Sequence, residues 1–467
     1  MMGIQIVILW SDLLIWLLVA AGIGVGLLIA RDPPLLSAWR RVGANRVGMA
    51  SATVLLAFIV IGLLDSLHYR VALEGKPGQK VQYAIEVLSL LDAVATPLRT
   101  RSEKTYSEPF ATRLYAKETI DVPGRGSVRD YPRLKHGGLH LGEREDEVVA
   151  DASFTAFRAG VLAFLGWLAV ARMASVVVGR GDSTAASGWQ KIWRGETAFA
   201  WNAVLLTLGL MLLVAVPLFW LSGQYHVFGT DKVGQDVLYQ ILKSVRTGLI
   251  IGLVTTLVML PVAVLLGIVA GYFRGWVDDV IQYLYTVLNS IPGVLLIAAA
   301  VLMMQVVIDT HPQWFSTAAE RADLRLLALC FILGITSWTG LCRLLRGETL
   351  KLRELEYIQA AQAFGVSNWR IIVRHILPNL MHIVIIALVM DFSGLVLAEA
   401  VLSYVGIGVD PSMTSFGTMI NNARMELGRE PVVWWSLAAA FAAMFILVLA
   451  ANLFADAVRD AFDPRAA

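Results

Sequence analysis

Residues 197–230 read TAFAWNAVLLTLGLMLLVAVPLFWLSGQYHVFGT, a run without a single Asp, Glu, Lys or Arg. About 20 mostly apolar residues in a helix cross the hydrocarbon of a bilayer, and this run exceeds that length. Val280–Ile308 is likewise free of formal charge. Outward from these two stretches, the same reading gives nine candidate spans, at residues 4–29, 47–67, 154–178, 198–222, 247–272, 284–308, 324–345, 379–402 and 432–456. The span at 154–178 is the weakest, because it carries Arg158 and Arg172. The expected fold is therefore all-α and polytopic, with about nine transmembrane helices. The first span does not read as a signal peptide, since no Lys or Arg precedes Arg31 and no small-residue cleavage site follows it.

Composition agrees. Of 467 residues, 57% are hydrophobic and 16% charged, and mean hydropathy is +0.67. Soluble domains carry about 25% charged residues, so an ordinary soluble enzyme, a disordered chain and a disulfide scaffold are all excluded. A net charge of +2 is too small to call for nucleic acid, and lipid is the expected surrounding. Cys330 and Cys342 fall in one apolar run, where a single helix would hold them about 18 Å apart, too far for a disulfide. They read as buried, inert thiols. Gly22, Gly24 and Gly26 read as sites of close helix packing within the first span.

Orientation follows from Lys and Arg in the short connections. Arg31, Arg40, Arg41 and Arg46 lie in 30–46; Arg180, Lys191 and Arg194 in 179–197; Arg346, Lys351, Arg353, Arg370 and Arg374 in 346–378. Nine alternating spans put these three segments on one side, the cytoplasm. The N-terminus is then periplasmic and the C-terminus cytoplasmic.

Residues 68–153 carry 13 Lys/Arg and 13 Asp/Glu and are too polar for lipid. They form an outer insertion, either a small domain or a mobile excursion. Its stretch Val122–Gly142 is rich in Gly and Pro and is expected to be irregular. His136 and His140 lack further ligands nearby and read as solvated loop residues rather than a metal site. The expected layout is 1–67 with two spans, the insertion at 68–153, a further span and linker at 154–197, and a main block at 198–467.

No phosphate-binding loop, zinc motif or nucleophile elbow occurs; Gly75-Lys76 is followed by Pro77. No catalytic residue, cofactor or metal is expected, which favours a transport subunit over a membrane enzyme. Energy from ATP would then have to come from another chain.

Residues 356–379 read EYIQAAQAFGVSNWRIIVRHILPN. They suggest two short helices broken at Gly365, which can take the left-handed conformation that ends a helix. Ser367 or Asn368 would cap the second helix, and Pro378 suits the first turn of the next span. Trp369, Ile371, Ile372 and Ile376 would form an apolar face, and the small pair Ala360-Ala361 would let another backbone approach.

This segment resembles the EAA loop of permease subunits in ATP-binding-cassette importers. Ala360, Ala361, Gly365, Leu377 and Pro378 match that pattern, while Gln359 stands where Glu is usual and Glu356 supplies a charge three residues earlier. Other blocks resemble the dipeptide/oligopeptide branch. They are Gly229–Val237, Gly271–Asp278, Ser290-Ile291-Pro292 and Ala398–Val409, in order across residues 198–464. Gln235, Tyr283, Thr286 and Phe416 depart from the usual residues. The resemblance implies a six-helix permease core preceded by three extra helices. It implies import of di- or oligopeptides, or of nickel or another small solute, across an inner membrane. It also implies two cytoplasmic ATPase subunits docked on Glu356, Gln359, Ala360, Ala361, Gly365, Trp369, Arg370, Leu377 and Pro378. A homologous second permease and a periplasmic substrate-binding protein complete the assembly it implies.

Charge within a span costs roughly 2.5–3.5 kcal/mol. Asp391 and Glu399, eight residues apart on one helix, are therefore candidates for a translocation path, together with Asn289 and a kink at Pro292. The same carboxylates would serve as proton sites in the rival reading, a secondary transporter driven by an ion gradient. Phe228–Lys243 is expected as an amphipathic outer helix able to meet a binding protein.

Overall fold

The computed structural model describes residues 4–73, 82–122, 126–142, 144–179, 185–315 and 317–462. Three helices open the chain: α1 (Trp10–Ile29), α2 (Pro33–Ala44) and α3 (Arg46–Asp65). In the insertion lie α4 (Leu90–Val94) and α5 (Thr96–Thr100), followed by α6 (Val148–Val178), α7 (Ala185–Arg194) and α8 (Trp201–Leu221). Then come α9 (Val237–Phe273), α10 (Trp276–Ser290), α11 (Gly293–Thr310), α12 (Ala318–Ser337) and α13 (Thr339–Arg353). The last five are α14 (Glu356–Ala363), α15 (Asn368–Ile371), α16 (Leu377–Val405), α17 (Phe416–Glu426) and α18 (Trp435–Phe462).

Among the described residues, nine helical stretches are long and apolar enough to span a membrane. The protein is an all-α polytopic membrane protein, as its composition requires. Helices are the natural answer in lipid, because each backbone N–H and C=O is satisfied within its own segment. Leu206, Leu210 and Val214 of α8 are more than half exposed, an apolar face that lipid would cover.

Several boundaries differ from the sequence reading. The run 4–29 does not start as helix. Ile4–Val7 is strand β1, paired antiparallel with β2 (His68–Val71), which pairs with β3 (Leu88–Ser89). The run 284–308 is two helices, with Ile291 extended (ψ 131°) and Pro292 at the N-terminal boundary of α11. Proline excludes the helical conformation at the residue before it, so Pro292 ends one helix and starts the next rather than kinking a single span. Cys330 and Cys342 are buried and free, but α12 and α13 are separate helices meeting at Trp338. A Cβ on Gly22, Gly24 or Gly26 would meet nothing within 4 Å, so no described residue packs closely against them.

The chain divides into two compact units. One comprises 1–8, 27–247 and 414–454. In it, α8 packs against α3 and α6, and the insertion is ordered around Leu141, Leu221, Tyr225 and Val227. Val122–Gly142 is not wholly irregular: β4 (Glu118–Val122) and β5 (Gly126–Asp130) form an antiparallel hairpin. The other unit comprises 9–26, 248–413 and 455–467. Its core joins Met259, Ala263, Ile268 and Tyr272 of α9 to Leu345, Ile358, Ile371, Ile376 and Leu380. The first span belongs here: the backbone N–H of Ser11 donates to Asp323 Oδ2 of α12 at 3.1 Å, and its hydroxyl donates to Oδ1.

Candidate functional site

Segment 356–378 has the two-helix shape expected of it. Phe364 N–H bonds Ala360 O at 2.9 Å, ending α14, and Gly365 follows with φ +75°. Ser367 occupies the position before α15 but makes no side-chain capping bond. Asn368 is not a cap either. Its Oδ1 accepts from Tyr272 Oη at 2.9 Å, and Tyr272 Oη accepts from Gln362 Nε2 at 3.2 Å. One hydroxyl thus ties both short helices to the end of α9, across the break. The Gly271–Asp278 block is anchored too, by Arg346 forking onto Asp278 at 2.6 and 2.7 Å.

The segment has an inner and an outer face. Ile358, Ile371 and Ile376 are fully buried and Ala361 packs partly inward. A buried side chain of this size contributes about 1.5–3 kcal/mol. Glu356, Gln359, Ala360, Gly365, Arg370 and Pro378 are exposed, as are Phe364 (87%) and Trp369 (69%). Trp369 therefore does not join the buried apolar face with the isoleucines. It rims an apolar groove of about 300 Å³ with Pro261, Leu265, Val269, Val373 and Leu377. Ile372–Ile376 forms a π turn that runs directly into α16. This wider turn resets the register between the short helix and the long one. No aromatic signal in the sequence singled out Phe364, because exposure is a tertiary property.

The loop before α9 has the opposite character. The expected surface helix over Phe228–Lys243 is absent; residues 228–236 are a loop, and helix begins at Val237 as the start of α9 itself. The insertion lies on this loop. Glu103 N–H bonds Gly234 O at 2.9 Å, Thr230 N–H bonds Ser107 O at 3.1 Å, and Trp435 Nε1 donates to Thr230 O at 3.0 Å. At the centre, His226 Nδ1 lies 2.7 Å from Asp236 and its Nε2 3.4 Å from Glu103, all three side chains nearly inaccessible. Glu103 also accepts the backbone N–H groups of Lys135, His136 and Gly137. Burial alone would lower the His226 imidazole, but hydrogen bonds from it to Asp236 and Glu103 hold it up at about 9. Burial alone would raise Glu103, but His226 and the three backbone donors pull it down to about 2.

His136 is therefore held through its backbone, and His140 is not simply solvated: it sits 2.9 Å from Asp151 and 3.4 Å from the Tyr225 hydroxyl. No metal-binding group of three or more His, Cys, Asp or Glu occurs among the described residues. Neither Glu103 nor His226 belongs to any sequence motif, and only the packed structure unites them with Asp236.

The candidate path residues lie on α10, at its junction with α11, and on α16. Asn289 Oδ1, near the end of α10, accepts from Thr339 Oγ1 at 3.1 Å, and Pro292 is exposed at the break. Asp391 is half-buried. Glu399 is 2% exposed and accepts from Ser403 Oγ at 2.5 Å within its own helix. It is enclosed in its unit.

A bundle of long apolar helices, with an ordered two-helix segment leading into one of them, defines the class: a multi-span membrane protein. Residues 263–467 match the family described as binding-protein-dependent transport system inner membrane component. The chain is 31% identical over 324 residues to the glutathione transport system permease protein GsiD of Pectobacterium atrosepticum, covering 64% of this chain and 98% of that one. It is 31% identical over 242 residues to the oligopeptide transport system permease protein OppC of Mycobacterium tuberculosis, covering 52% of this chain and 77% of that one. It is 29% identical over 242 residues to the dipeptide transport system permease protein DppC of Bacillus subtilis, covering 51% and 69%. The chain belongs to this family of binding-protein-dependent transport permeases, as the motif series implied, and is the membrane permease of an ATP-binding-cassette importer.

Proposed function

We propose that the protein imports di- or oligopeptides across the inner membrane, with its N-terminus periplasmic and its C-terminus cytoplasmic. Two ATPase subunits grip segment 356–378, a homologous second permease completes the path, and a periplasmic binding protein delivers cargo. The observation that carries this reading is the segment's division of labour. Its inner face is buried and tied through Tyr272, while Gln359, Ala360, Phe364, Trp369 and Arg370 stand outward on a frame continuous with α16. A partner seated on that face would move α16 as a rigid body, which is what coupling two states requires. The relatives named for glutathione, oligopeptide and dipeptide transport support a peptide cargo. Asp391 and Asn289 remain the residues of this chain proposed to meet that cargo. Residues 198–467 are proposed as the permease core, with 1–67, 68–153 and 154–197 as additions to it.

The test is uptake of a labelled dipeptide by cells carrying the wild type or Gly365→Asp. The expected result is normal membrane insertion of the variant with uptake lost, and no uptake in ATP-depleted vesicles. Uptake persisting in vesicles that hold only an ion gradient would support the secondary-transporter reading instead.

A further inference from the structure

Two amphipathic helices in the first unit point to a ligand that transport does not use. Helix α2 buries Ala38 and Val42, partly buries Leu35 and Trp39 on the same face, and leaves Arg40 and Arg41 exposed. Helix α7 buries Ile192 and exposes Trp193 and Arg194. Both lie at the same membrane face. Helix α2 leads into span α3, α7 leads from span α6 into span α8, and the crossing made by α3 is reversed by α6.

The two corners meet. Ala200 N–H bonds Gly43 O at 2.8 Å, the Phe199 ring lies against Gly43, and the Arg46 guanidinium lies beside Gly195. Arg172, one and a half turns inside the end of α6, stacks on Trp189 of α7 at 4.9 Å and so leans toward the same edge. Residues 30–46 and 185–200 together hold six Lys/Arg and two acids, Asp32 and Glu196. Exposed aromatic rings (Trp193, Phe199) and exposed arginines (Arg40, Arg41, Arg194) thus share two connections that meet where the spans begin.

Tryptophan anchors at the boundary of the bilayer, and arginine there meets phosphate, which its planar fork can hold with two hydrogen bonds. The connection that carries Trp193 and Phe199 continues into the apolar outer face of α8, so the ligand should have a hydrocarbon part beside its phosphate. We propose that this corner holds the phosphodiester headgroup of an anionic phospholipid, on Arg40, Arg41 and Arg194. The N-terminal helices thereby give the protein a phospholipid site apart from segment 356–378. This is independent of the cargo and of the ATPase contact.

The full chain is placed in nanodiscs containing phosphatidylcholine and phosphatidylglycerol, then lipids retained after detergent stripping are counted by native mass spectrometry. The expected result is enrichment of phosphatidylglycerol by about tenfold, abolished in R40Q/R41Q/R194Q and only partly restored in R40K/R41K/R194K, which keeps the charge but not the fork. An R129Q/R133Q variant, changed in the outer insertion, keeps the enrichment. Tryptophan emission and monodisperse elution confirm that each variant is folded. Equal retention of the two lipids by the wild type, or unchanged enrichment in the triple glutamine variant, overturns the proposal. Displacement of the lipid by millimolar glycerophosphate also overturns it, in favour of a soluble phosphate ligand.

Discussion

Two glycines at positive φ, one in each compact unit, differ in their surroundings. Gly365, φ +75°, sits at the break of segment 356–378, and a Cβ there would meet nothing within 4 Å. Gly234, φ +76°, sits in the loop before α9, and a Cβ there would collide with the backbone carbonyl of Glu103. Both satisfy the turn that their position requires. Only Gly234 is also needed for the chain to approach itself. The loop before α9 is filled by the protein's own insertion, whereas the other segment is left open on one side. The open space beside Gly365 leaves room for the partner proposed above, and the filled space beside Gly234 leaves none.

That contrast is open to test, beginning with the loop before α9. Gly234→Ala combines left-handed strain of about 1–2 kcal/mol with overpacking of about 1–3 kcal/mol. The expected outcome is release of residues 101–142 from the loop, read as rapid proteolysis of the insertion. Unchanged protection would show that the insertion does not depend on this contact.

A smaller effect is expected from pH. The raised His226 favours the folded state fully below its ordinary value near 6.5, and that contribution is lost as pH rises through about 9. The depressed Glu103 favours it above about 4.5, and that contribution is lost as pH falls through about 2. Protection of the insertion should therefore be greatest between the two ordinary values and fall away on the alkaline side toward 9. His226→Gln should lower the plateau and flatten the alkaline limb, measured by proteolysis across pH. A variant with the wild-type alkaline limb would assign that loss to another group.

The smallest effect belongs to Gly365→Ala. Strain of about 1–2 kcal/mol with no clash should leave thermal stability in detergent nearly unchanged. A large loss there would mean that the segment is already packed against something within this chain, which would erase the distinction between the two glycines.

Much of this was legible from the residues. The spans were readable because hydropathy sums along one chain, and the break at Gly365 because glycine at that spacing has a local conformational meaning. Legibility stopped where partners are distant in sequence. The sequence gives Trp369 an apolar face with Ile371, Ile372 and Ile376, but not its exposure: Trp369 is 69% exposed on the rim of a groove that Ile372 also lines. Strand β1 was hidden in the apolar run 4–29, because its pairing partner lies more than sixty residues away.

By itself the sequence determined that this is a membrane-spanning helical protein of the binding-protein-dependent permease family, because apolar length and short motifs act locally. Tertiary structure alone decided three further matters: Glu103, His226 and Asp236 share one buried site, Glu399 is enclosed, and Tyr272 ties together both halves of segment 356–378. The first and the third depend on groups brought within hydrogen-bonding distance from separate parts of the chain, and the second on burial within the packed unit; no local pattern encodes either.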